Sequence, residues 1–106
     1  LFSEYAKNGP ALLLGDFNEP TPIDTLTGMK KFYTSKHFKP AISLSELKKD
    51  QAKHFTYSSG KPKRKIDYIF YTSQYLKKVN ASTIREKNLI SDHLPVMMRF
   101  ELIHVE

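Results

Sequence analysis

Cysteine is absent from this 106-residue chain. That excludes a disulfide framework and a thiolate metal site, and leaves the compartment open. Glycine is sparse, with only four residues, so the chain is not collagen-like. No apolar run approaches the ~20 residues that a membrane-spanning helix needs. Acidic residues are outnumbered, 11 against 17 Lys and Arg, for a net charge of +6. The resulting pI near 9.5 favours a polyanionic or phosphate-bearing partner, the other reading being a lysine-rich surface that serves solubility alone. With 40% hydrophobic and 26% charged residues, the composition is that of one small globular domain or a piece of a larger one. A chain of this size buries roughly 60–70% of its unfolded surface, enough to fold with a modest margin.

The first residue is Leu1 rather than methionine, and Leu1, Phe2, Tyr5 and Ala6 share one face at helical spacing before a Gly9-Pro10 stop. This reads as the tail of a helix, and we expect the chain to continue upstream; the lack of a leader segment is then uninformative. Residues 11–16 predict a buried strand, residues 24–33 a helix, and residues 45–49 a helical turn. Phe55-Thr56-Tyr57 predicts a short strand and residues 58–62 a turn. Residues 65–72, rich in β-branched and aromatic side chains, form the clearest strand. Residues 79–85 predict a weaker strand and 95–105 a strong one, with Val96, Met98, Phe100 and Leu102 on its core face and Met97 and Met98 as core filler. The expected order is α-β-α-β-β-β, an α/β (α+β) chain with a mostly antiparallel sheet.

Three segments carry chemistry. In Gly15-Asp16-Phe17-Asn18 an extended backbone would send Asp16 and Asn18 to the same side as Leu12 and Leu14. The acid can accept a water's proton while the amide donates to a developing oxyanion. The alternative is an Asx-turn or helix cap. Asp67 lies inside an apolar strand, where its charge is costly to bury, so it needs a partner such as a histidine; otherwise it marks a bulge or a solvent-facing edge. Ser91-Asp92-His93-Leu94-Pro95-Val96 sets a hard oxygen ligand for Mg²⁺ beside a phosphate-contacting imidazole, or else is a simple turn into the last strand. A fourth segment, Lys61-Pro62-Lys63-Arg64-Lys65, is a basic loop that grips phosphate through Lys63, Arg64 and Lys65, or is merely a solvated hairpin. Phe55, Tyr57, Tyr68, Phe70 and Tyr71 fit sheet packing better than base stacking, and His37, His54 and His104 read as surface or locally bonded.

Taken in this order, the three acidic segments resemble the endonuclease/exonuclease/phosphatase superfamily, whose fold is that of deoxyribonuclease I. The resemblance runs from the strand before Asp16 to the strand after His93. It implies that Asp16 activates water, Asn18 orients it and the phosphate, Asp67 supports His93, Asp92 contributes to a Mg²⁺ or Mn²⁺ site, and His93 contacts the scissile phosphate. It also implies an N-terminal half, carrying a further Asn, a metal-binding Glu and a second His, whose motifs are not found in this sequence. On this reading residues 1–106 are the C-terminal portion of the domain, half of a four-layered α/β/β/α sandwich. The implied activity is metal-dependent hydrolysis of a phosphate ester, nucleic acid included, with the isolated chain nearly inactive. The absence of tryptophan departs from the apurinic endonucleases and inositol polyphosphate phosphatases, which carry one near the motif matching Asp67. The alternative is a non-catalytic basic nucleic-acid-binding module. A half-sandwich also leaves a sheet face uncovered, which predicts self-association.

Overall fold

The computed structural model describes residues 8–20, 28–85 and 91–103. The expected helix tail at Leu1–Ala6 and His104 lie outside these residues, as does most of the first half of the helix expected over 24–33. In chain order the elements are strand β1 (Leu12–Asp16), helix α1 (Lys30–Tyr33), strand β2 (Lys39–Pro40), helix α2 (Leu44–Lys49), a 3-10 turn (Ala52–His54), and strands β3 (Asp67–Tyr71), β4 (Leu76–Thr83) and β5 (Val96–Leu102). They build a three-stranded sheet in the order β1-β3-β2 and a two-stranded β4-β5 ribbon, antiparallel throughout. The class is therefore α+β with antiparallel sheets, as the pattern of elements predicts.

Strand β3 organises the first sheet because it is central and its side chains alternate sharply. Its even-numbered residues, Tyr68 and Phe70, are 2% and 0% exposed. They meet Met29 and Phe38, with Leu13, Phe17, Phe32 and Tyr33 packed around them. Antiparallel pairing aligns Leu13 with Phe70 and Gly15 with Tyr68 on this aromatic face. The same register aligns Leu12 with Tyr71, Leu14 with Ile69 and Asp16 with Asp67 on the other face, since opposed residues of a ladder share a side. Period-two alternation thus buries Tyr68 and Phe70 on one surface and aims two carboxylates at the other, where Tyr71 is buried at the far end of the strand.

Strand β1 is not the buried strand its composition predicts. Only Leu13 faces the core, while Leu12 and Leu14 are 39% and 61% exposed. The last strand also corrects an expectation. Val96 and Met98 are half-buried, but Met97, Phe100 and Leu102 are exposed. Beyond Met98 the side chains of β5 are exposed, although Leu76 across from Leu102 is buried. Val79 is the extra residue of a bulge between Lys78 and Asn80, which leaves its side chain facing out. Helix α2 starts on a capping box in which Ser43 accepts from the Glu46 N–H and Glu46 accepts from the Ser43 N–H. No helix among the described residues is long and apolar enough to cross a membrane.

Candidate active site

The site sits where the β1–β3 ladder ends. Asp16 and Asp67 are direct cross-strand partners, a like-charged pairing that is unfavourable without a cation between them. His93 fills that position. Its Nδ1 lies 2.7 Å from Asp67 Oδ2, and its Nε2 lies 3.7 Å from Asp16 Oδ2 and 3.9 Å from Asp92 Oδ1. The Asp67 hydrogen bond raises the His93 pKa above its ordinary value against the opposing effect of partial burial, and the charges of Asp67, Asp16 and Asp92 add to the rise. With Nδ1 committed to Asp67, Nε2 is the nitrogen left facing the open side.

Local backbone chemistry fixes each acid. Gly15 takes φ +150°, a conformation that disfavours side chains, and Asn18 takes φ +54°. The chain therefore turns just past Asp16 instead of staying extended, which overturns the expectation that Asp16 and Asn18 project side by side. In the turn the Asn18 N–H donates to Asp16 Oδ1 at 2.8 Å. The Asx-turn and the acidic site are thus the same piece of structure. The next segment is tied down by Tyr68, whose hydroxyl donates to the Glu19 carbonyl at 2.7 Å.

His93 is placed by a brace that the sequence reading missed. Phe55-Thr56-Tyr57 does not form a strand; Tyr57 makes single bridges to Arg64 and His93 instead. Thr56 is fully buried, and its Oγ1 accepts from the N–H groups of Ile66 and Asp67 at 3.1 and 3.3 Å. Its carbonyl accepts from Leu94 N at 2.7 Å. Ser59 completes the cradle: its N–H donates to the Asp92 carbonyl and its hydroxyl to the Ser91 carbonyl. One threonine therefore locks the strand bearing Asp67 to the loop bearing His93. The signal for it was a small hydroxyl residue flanked by two aromatics, which composition alone does not distinguish from an ordinary strand. Thr56→Val is expected to destabilise the fold by about 1–3 kcal/mol, because two N–H groups lose their acceptor at a fully buried position. Urea unfolding measures this, and a loss within a few tenths of a kcal/mol would remove Thr56 from its bracing role.

A cleft of about 330 Å³ opens over these groups, lined by Asp16, Asp67, Ser91 and His93 on its polar side and by Leu14, Ile69 and Leu94 on its apolar side. Asn18 is not among the residues lining it. Asp16, Asp67 and His93 present ligand atoms within 4.8 Å of one another, which makes them a possible cation set. The 2.7 Å contact between Asp67 and His93 argues otherwise for that pair, because two groups at this distance share a proton. Asp16 and Asp92, the latter with its side chain 71% exposed, face the imidazole at longer range. Both carboxylates lie within 4 Å of the same nitrogen.

The basic loop divides in two. Lys63 and Arg64 are exposed, but Lys65 turns inward and is 4% exposed. Its ammonium donates to the Asp67 carbonyl and lies 4.6 Å from the Tyr68 ring. Burial lowers its pKa to about 8, with the Asp67 charge opposing. Lys65 thus belongs to the support of β3 and not to the rim, in contrast to its expected phosphate contact. Its long apolar stem suits that inward path, packing along the sheet as an aliphatic chain. His54 also departs from expectation. It is 4% exposed, its Nδ1 has no partner among the described residues, and burial lowers its pKa.

No curated protein and no solved structure matches the chain. A model of the endonuclease/exonuclease/phosphatase family matches residues 3–93, a span that includes Asp16, Asp67, Asp92 and His93. Members of this family hydrolyse phosphoester bonds and generally use divalent metals. With most of its length covered, and its acids gathered at the end of an antiparallel ladder, the chain belongs to the endonuclease/exonuclease/phosphatase family.

Proposed function

We propose that the Asp16–His93–Asp67 cleft hydrolyses a phosphodiester or phosphomonoester by direct attack of water on phosphorus. The observation carrying this reading is the single imidazole held by Asp67 at one nitrogen and approached by Asp16 and Asp92 at the other. Asp16 accepts the proton of the attacking water as the new P–O bond forms. Its orientation comes from the Asn18 N–H, which donates to its Oδ1. His93, fixed in one orientation by Asp67, offers Nε2 to a non-bridging oxygen whose charge grows in the transition state. The leaving oxygen departs to the open side of the cleft and is protonated by solvent. Asp92, with Asp16, would hold a divalent cation, Mg²⁺ or Mn²⁺, which when bound supplies Lewis acidity at a phosphate oxygen.

We propose further that residues 1–106 are the C-terminal portion of the catalytic domain, and that the remainder of the domain covers the face bearing Leu12 and Leu14 and adds an acidic ligand to the metal. The exposure of these two leucines beside the cleft supports that reading, as does a cation site with only two carboxylates. In isolation the chain is then nearly inactive and self-associates through that face.

Hydrolysis of bis-p-nitrophenyl phosphate by the full-length protein tests the activity. Turnover is expected to disappear in EDTA and to return with excess Mg²⁺ or Mn²⁺. Turnover indifferent to the chelator would overturn the metal-assisted reading. Salt-sensitive nucleic-acid binding with no hydrolysis in any metal would favour a binding module instead.

A further inference from the structure

A second cavity, of about 380 Å³, lies beside the acidic cleft and is lined by Tyr57, Ser58, Lys61, Lys63 and Arg64. No carboxylate lines it. Lys61, Lys63 and Arg64 are exposed, and none is ion-paired among the described residues. Their convergence follows from the tight hairpin between Tyr57 and Arg64, in which the N–H groups of Lys63 and Arg64 both donate to the Tyr57 carbonyl. Three uncompensated cations on one concave surface, with a serine hydroxyl among them, form a receptor for a phosphate group.

Tyr57 connects this cavity to the acidic cleft. The Arg64 guanidinium lies 5.1 Å from its ring, and the His93 ring lies 5.0 Å from the same ring. Arg64 and His93 are therefore within about 10 Å of each other, close enough for neighbouring phosphates of one strand to reach both. Tyr57 is already flanked by a guanidinium and an imidazole, so it is better placed as a rigid spacer than as a stacking platform for a base.

We infer that the Tyr57–Arg64 cavity is a second phosphate subsite, which takes a backbone phosphate flanking the scissile one and makes a nucleic-acid strand the substrate class. This rests on the proposed placement of the scissile phosphate at His93. The concave shape favours a strand threading past it over a flat lipid surface, and no apolar side chain other than the Tyr57 ring lines the cavity to enter a bilayer.

The test is binding of a fluorescein-labelled thymidine trinucleotide to the full-length protein, read by anisotropy in EDTA so that nothing is turned over. A second trinucleotide carries a neutral methylphosphonate at one of its two phosphates. The expected result is about tenfold weaker binding of the neutralised strand, with Lys61→Gln/Lys63→Gln weakening the all-phosphate strand by a similar factor and erasing the difference between the two. Equal affinities for both strands, or a difference that survives in the double variant, would overturn the subsite. Discrimination absent for the strands while the double variant loses binding to phosphatidylserine vesicles would also overturn it, in favour of a membrane contact. Failure of the catalytic reading shows separately, as no hydrolysis of bis-p-nitrophenyl phosphate, and leaves the anisotropy difference in place.

Discussion

His93→Ala in the full-length protein is expected to lower turnover of bis-p-nitrophenyl phosphate by at least ~10²-fold, the scale for losing a charge-stabilising or acid–base group from a transition state. Asp67→Asn should fall by a similar order while leaving the imidazole in place, because the amide can hold the ring but no longer supplies the negative charge beside it. The two variants separate in their pH profiles. In the native protein the Asp67 hydrogen bond raises the His93 pKa above its ordinary value near 6.5, so the charged imidazole persists to higher pH. Activity that depends on that charge is complete below the ordinary value and declines as pH rises through the elevated one. The stability contributed by the pair has the same sign, present at low pH and lost through the elevated pKa. Asp67→Asn should move the declining limb to lower pH, and His93→Ala should abolish it. A limb in the same place in both the native protein and Asp67→Asn would detach Asp67 from His93 function, and full turnover in His93→Ala would remove the histidine from the chemistry.

The largest effect on stability is expected at Phe70. Its side chain is 0% exposed, and its ring centroid lies 5.4 to 5.9 Å from those of Phe32, Tyr33, Phe38, Phe17 and Tyr68. Truncation to alanine removes both the transfer free energy of the ring and its contacts with five others, for about 3–5 kcal/mol. Small domains are stable by only about 5–15 kcal/mol in total. Phe70→Ala should therefore be mostly unfolded at 37 °C or show a sharply lowered urea midpoint. Leu14→Ala, on the opposite surface and 61% exposed, supplies the contrast, since exposed substitutions usually stay within about 0.5 kcal/mol. Equal losses at the two positions would contradict the assignment of faces in the first sheet.

Much of this was legible in the sequence where one local rule dominates. The strand expected over 65–72 is β3 at Asp67–Tyr71, because β-branched and aromatic residues outweigh the one aspartate that opens it. The helical turn expected over 45–49 is α2 at Leu44–Lys49, where the Ser43 cap and Glu46 agree with the pattern. The strand expected over 79–85 begins earlier, at Leu76, since the bulge at Val79 breaks the alternation from which its start was read. Strand β2 was not foreseen; two residues ending in a proline carry no periodicity, and only β3 gives them a partner. The acids of the site stood out as polar residues at the ends of apolar runs. The brace at Thr56, the inward course of Lys65 and the left-handed turn at Asn18 did not, because each depends on contacts that link segments across the fold or on a backbone angle that several residue types tolerate.

The cross-strand alignment of Asp16 with Asp67 ties the proposed site of this chain to its folding in an unforgiving way. Insertion or deletion of a single residue in β1 would bring Gly15 or Phe17 opposite Asp67 and carry Asp16 toward the surface that holds the aromatics. Such indels would erase chemistry and core together, so length variation among descendants of this sequence should accumulate in its loops and spare these two short segments.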